Sequence, residues 1–120
     1  MNVVAFVGEI AELPVVKETV NGNKYANMVL KVSRPFMNNE GVYEQDELSC
    51  TLWRGIAETT ASVARLGDYV AIKGRLQSRS FEGNDGNMHR SIDIIAEHVS
   101  FIGQRKALKK PVTLFFIGMR

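Results

Sequence analysis

A chain of 120 residues with 45% hydrophobic and 23% charged side chains has the make-up of one soluble globular domain, large enough for a single core and too small for two. No apolar run is long enough to cross a membrane, the opening MNVVAFVGEI lacks the basic segment and cleavage site of a secretory signal, and the lone Cys50 excludes an internal disulfide, which together lead us to expect a cytoplasmic protein. The net charge of +2 is unevenly divided: residues 1–103 carry ten basic and thirteen acidic side chains, a net of −3, whereas residues 104–120 carry five basic ones and no acid.

In chain order, Asn2 to Ile10 is rich in Val, Phe and Ile with apolar residues on both faces, as in a strand covered on both sides. Leu13-Pro14 interrupts it, Val15 to Val20 forms a short second piece, and Asn21-Gly22-Asn23 is a hairpin turn. Tyr25 to Ser33 alternates as a half-buried strand, with Ala26, Met28, Leu30 and Val32 on one face and Tyr25, Asn27, Val29 and Lys31 on the other. Arg34 to Tyr43 reads as a loop or extended hairpin whose apolar members, Phe36, Met37 and Tyr43, are candidates for ligand or subunit contact, with self-packing of the loop as the plainer account.

Gln45 to Trp53 alternates again, with Leu48, Cys50 and Leu52 facing one way and the only tryptophan on the more polar face. Trp53 there either meets a ligand or caps the helix that follows. That helix is predicted over Ile56 to Leu66, with Ile56, Ala57, Ala61, Val63 and Ala64 at helical spacing and Gly67 as its stop.

Tyr69 to Phe101 then reads as two long strands joined by a loop holding Gly83, Asn84, Asp85, Gly86 and Asn87. In the first of them Val70, Ile72, Gly74 and Leu76 share one face, and Tyr69, Lys73, Arg75, Gln77, Arg79 and Phe81 share the other. Cations ending in an aromatic ring suit an extended polyanion whose bases stack, although an ordinary solvated sheet face has the same composition. Because residues 1–103 are net acidic, such a site depends on local charge clusters and stacking, not on a bulk positive field. Five strands with one helix between the third and fourth is the order of an all-β OB-fold, a small Greek-key barrel that binds oligonucleotides.

The segments NVVAFVGEI, NGNKYANMVLKVSR, LWRGIAETTASVARLGDYVAIKGRLQSRSF and IIAEHVSFIG make residues 2–103 resemble the bacterial single-stranded DNA-binding proteins, homotetrameric OB-fold proteins of replication, recombination and repair. The resemblance implies a domain over 1–103, with 104–120 as a tail. It places the family's stacking aromatics on Phe36, Trp53 and Phe81, and a fourth on Leu48, which has no ring. The family's basic contacts are matched best by Arg79. Lys73 and Arg75 share its predicted face, and Arg34 and Arg54 are candidates because they flank Phe36 and Trp53. The implied partner is single-stranded DNA, bound without sequence preference by a homotetramer, with a dimer as the alternative.

The tail, QRKALKKPVTLFFIGMR, departs from the family's Gly-rich linker and acidic tip, so partner recruitment by that route is not expected; the tail either packs or is solvated, or its charge aids DNA binding or assembly. His89 and His98, nine residues apart on one strand, are expected on opposite faces, and no zinc ligand set, acid–base pair, phosphate loop or nucleophile elbow is present, so neither cofactor nor catalysis is expected. Two other functions fit the fold: a primosome-type adaptor with weak DNA binding, and an OB-fold that assembles mainly with protein or RNA.

Overall fold

The computed structural model describes residues 1–104; the tail discussed above lies, beyond Gln104, outside the described residues. The elements run β1 (Val4–Glu12), β2 (Lys17–Glu18), β3 (Lys24–Met37), β4 (Tyr43–Trp53), α1 (Arg54–Val63), β5 (Asp68–Glu82) and β6 (Met88–Gln104). The sheet order β1-β5-β6-β4-β3-β2 is closed by a further β1–β3 pairing, so five strands form a barrel and the two-residue β2 pairs only with β3. All pairings are antiparallel except β4 with β6. With α1 between the third and fourth barrel strands, this is an OB-fold.

The alternating patterns place the core. Ile10, Ala26, Met28, Leu30, Cys50, Leu52, Val70 and Ile72 point inward and are buried, and Ala57 of α1 closes one end of the barrel. Burial pushes the Cys50 thiol up to about 12. β1 is covered on one side only in the single chain, contrary to the reading of two covered faces: Gly8 and Ile10 are buried, but Ala5 is exposed and Val7 half-buried. The helix starts two residues earlier and ends three earlier than predicted, and Thr60, not Val63, shares the inward stripe with Ala57. It stops where Ala64 turns extended, and the Asp68 carboxylate accepts a hydrogen bond from the Arg65 backbone N–H (3.0 Å). Gly67, at φ 88°, then lets the chain turn into β5.

Two hairpins run out of the barrel. β3 continues past the predicted end of its strand to Met37, which pairs with Tyr43, so of the two readings of Arg34 to Tyr43 the extended hairpin is the one the structure has. A register shift between Ser33 and Met37 surrounds Pro35, which has no N–H to give the ladder. β5 and β6 pair from Asp68↔Gln104 to Glu82↔Met88, and residues 76–82 are all exposed. Where β5 leaves the barrel, the Asn2 side chain binds Leu76 on both sides, donating to its carbonyl (2.6 Å) and accepting from its N–H (2.9 Å).

One extra residue in β6, Glu97, shifts the register between Lys73↔His98 and Gly74↔Ala96. This corrects the reading of the two histidines. His89 lies opposite Phe81 and His98 opposite Lys73, positions eight apart on β5, so both share one face although about 26 Å of strand separates them. Among the described residues no group of three or more His, Cys, Asp or Glu is placed to hold a metal ion.

Candidate nucleic-acid interface

Directly paired residues share a face, so register alone defines the outward surface of β3, β4, β6 and β5. It begins at Tyr25↔Trp53, crosses Thr51↔Ile95 to Arg75, and continues through Gln77↔Asp93 and Arg79↔Ser91 to Phe81↔His89. The path along β5 from Arg75 to Phe81 is about 20 Å.

At the barrel end, Trp53, Arg54 and Arg75 meet around an open cleft of about 470 Å³ whose floor includes Ile95 and Ala96 and whose rim includes Gln77 and Glu97. The Trp53 ring lies 5.5 Å from that of Tyr25 at an angle of 39° and keeps 38% of its surface exposed. Trp53 is also the N-cap residue of α1 but makes no side-chain capping bond. The ring contact of Trp53 is with Tyr25. Arg54 follows with φ 55°, a left-handed conformation uncommon for a side-chain-bearing residue, which turns the chain from strand to helix beside the cleft.

At the ribbon end, Phe81 is 42% exposed, and the His89 ring stacks on it at 5.6 Å and 28°. The Arg79 guanidinium carbon lies 5.5 Å from the centre of the Phe81 ring, while its Nε donates to Asp93 at 3.0 Å. His89 Nε2 lies 3.0 Å from an oxygen of Asp85, whose carboxyl is held below its usual range chiefly by the Asn87 backbone N–H and then by His89.

The remaining candidates fall elsewhere. Phe36 stands on the β3–β4 ribbon, 82% exposed. Its neighbour Arg34 donates through Nε and Nη2 to Asp46 (2.8–3.2 Å) and through Nη1 to Glu44, so its charge is already matched. The Asp46 carboxyl is lowered, first by that hydrogen bond. Arg75 reaches Glu97 at 3.3 Å and Gln77 at 3.1 Å. Lys73 lies two positions beyond Arg75, opposite Ala5 and His98. Lys73 and Arg54 form no ion pair among the described residues.

Leu48 needs a correction of another kind. It pairs with Leu30 and has the inward parity of Cys50 and Leu52, so it is not on the face of Trp53. The outward positions beside it are Glu47 and Ser49. Neither carries a ring, so the outward surface has no aromatic at this point of β4. The sequence reading also passed over Tyr25 and His89 as site residues. Tyr25 was visible as the aromatic on the polar face of its strand; His89 is located only by the cross-strand register.

An OB-fold barrel with rings and guanidinium groups strung along one outward face is the build of a single-strand-binding module. The model of the single-strand binding protein family matches residues 1–102, and the chain belongs to that family. It is 37% identical over 106 residues to single-stranded DNA-binding protein 3 of Listeria innocua, covering 88% of this chain and 66% of that one. Over 102 residues it is 37% identical to a single-stranded DNA-binding protein of Oceanobacillus iheyensis (85% and 63%), and over 105 residues 36% identical to one of Halalkalibacterium halodurans (88% and 62%). The chain thus spans somewhat less than two thirds of the length of these relatives.

Proposed function

We propose that this chain binds single-stranded DNA without reading its sequence and so protects exposed strands in replication, recombination and repair. The observation that supports this best is the continuous outward face, with Tyr25 and Trp53 at one end, Phe81 and His89 at the other, and Arg75 and Arg79 between them. Every base has a π-face, so rings stack on any sequence, and cations between them meet the phosphates. A duplex hides its base faces, which gives preference for single strands. In this reading Trp53, Phe81 and Phe36 stack, while Arg34, Arg54, Lys73, Arg75 and Arg79 neutralise phosphate. The assembly is a homotetramer over which the strand wraps, multiplying modest sites by high effective concentration.

The primosome-type adaptor draws support from the missing fourth ring and the missing acidic tip, and neither the inward-facing Leu48 nor its outward neighbours Glu47 and Ser49 supplies that ring. The test is a titration of Trp53 fluorescence with oligo(dT) of increasing length at low and high salt. Strong quenching that saturates at several tens of nucleotides, as several OB-folds at about 4–16 nucleotides each require, is the expected result. Weak, salt-sensitive binding without quenching would favour the adaptor.

A further inference from the structure

Three of the five candidate phosphate-binding cations are not free. Arg34 is clamped between Asp46 and Glu44, Arg75 reaches Glu97, and Arg79 reaches Asp93. In each case the acid comes from the neighbouring strand or from the bulge beside it, and both partners of every pair are at least partly exposed. Exposed pairs of this kind add little to stability, so the two on the outward face, Arg75–Glu97 and Arg79–Asp93, call for another account, whereas Asp46 pairs with Val32 and has the inward parity of Leu48. Their positions supply one: Asp93 sits opposite Gln77, and Glu97 rims the cleft shared by Trp53, Arg54 and Arg75.

We propose that Asp46, Asp93 and Glu97 are built-in counter-ions that compete with DNA phosphate for the same guanidinium groups, and so limit affinity and flatten its salt dependence. The inference rests on Arg34, Arg75 and Arg79 being strand contacts. A guanidinium offers five N–H donors, and the degree to which they are taken ranks the three sites. Arg34 has Nε, Nη1 and Nη2 all engaged and yields least to phosphate. Arg79 gives only Nε to Asp93 and keeps both terminal nitrogens for a phosphate. Arg75 has two donors taken, one by a longer bond to Glu97 and one by the neutral amide of Gln77, and stands between the other two. At each site binding is an exchange: phosphate arrives, the carboxylate is released to water, and the acid's own charge remains beside the strand.

The test is equilibrium binding of fluorescein-labelled oligo(dT) across a range of NaCl concentrations, for Asp93→Asn, Arg79→Gln and the double variant, with thermal melts to confirm folding. Asp93→Asn is expected to bind about two- to fivefold more tightly at low salt, with a log–log salt slope steeper by up to about 0.7. Arg79→Gln is expected to bind more weakly, and the gain from Asp93→Asn is expected to vanish in its background. Glu97→Gln should repeat the gain on Arg75, and Asp46→Asn should give a smaller gain because Glu44 still holds Nη1 of Arg34. If Arg79→Gln weakens binding but Asp93→Asn changes neither affinity nor slope, the strand contact stands and the competition is refuted. A gain that persists in the Arg79→Gln background refutes exchange in favour of simple repulsion. If neither single variant changes binding, Arg79 is not a strand contact, and the proposal falls with that reading.

Discussion

Replacing Phe81 with alanine separates stacking from charge. A ring that stacks on a base is worth roughly 1–3 kcal/mol, or about 5- to 150-fold in affinity. The structure narrows that range. The Phe81 ring already has His89 stacked on it and the Arg79 guanidinium 5.5 Å from its centre, so an arriving base replaces a contact instead of covering a bare ring. An exposed cation–π contact is worth about 0.5–1 kcal/mol, which brings the expected net loss to about 1 kcal/mol, or five- to tenfold. Because the ring carries no charge, the salt slope should not change. Fluorescence anisotropy of labelled oligo(dT) over a salt series reads both quantities. Phe81→Leu, which keeps apolar bulk but no π-face, should resemble Phe81→Ala, and the melting temperature should stay put because residue 81 stands outside the core. A loss below twofold, or a slope reduced by about 0.7, would refute the assignment of Phe81 to stacking.

A Cβ at Gly74 would sit 1.9 Å from the Ile95 carbonyl oxygen, so Gly74→Ala should destabilise the fold by about 3 kcal/mol in urea denaturation at fixed protein concentration. Glu47→Trp should place a ring on the outward face and tighten oligo(dT) binding severalfold at unchanged melting temperature, whereas Leu48→Trp should lower the melting temperature by overfilling the inward side. The Asp46 carboxyl is depressed because Arg34 hydrogen-bonds its ionised form, so this pairing is present above the ordinary carboxylate range and is lost as pH falls through the lowered value. Carboxyl-detected NMR should show Asp46 titrating below its usual range, and Arg34→Gln should return it toward that range.

Most of the barrel was legible because its strands alternate cleanly. Ala26, Met28 and Leu30, then Cys50 and Leu52, then Val70 and Ile72 mark inward faces that the structure keeps. What single-strand periodicity cannot show is a residue inserted into a ladder. Glu97 breaks the parity between His89 and His98, and the irregularity around Pro35 hid the continuation of β3 to Met37. The rings and cations could be named from the sequence, but their partners could not. Whether Arg34 is free or clamped depends on Glu44 and Asp46, ten and twelve residues away, and only the hairpin register brings them together.

The outer part of the β5–β6 ribbon carries Arg79, Phe81 and His89 with no core behind it. Side chains there owe nothing to barrel packing, so this arm can accept substitutions that the barrel would reject. Length, charge and aromatic content of the arm are thereby uncoupled from whether the protein folds. For an engineer, grip on the strand can be retuned at these positions one residue at a time, while Gly8, Gly74 and the inward faces of the barrel hold the scaffold constant.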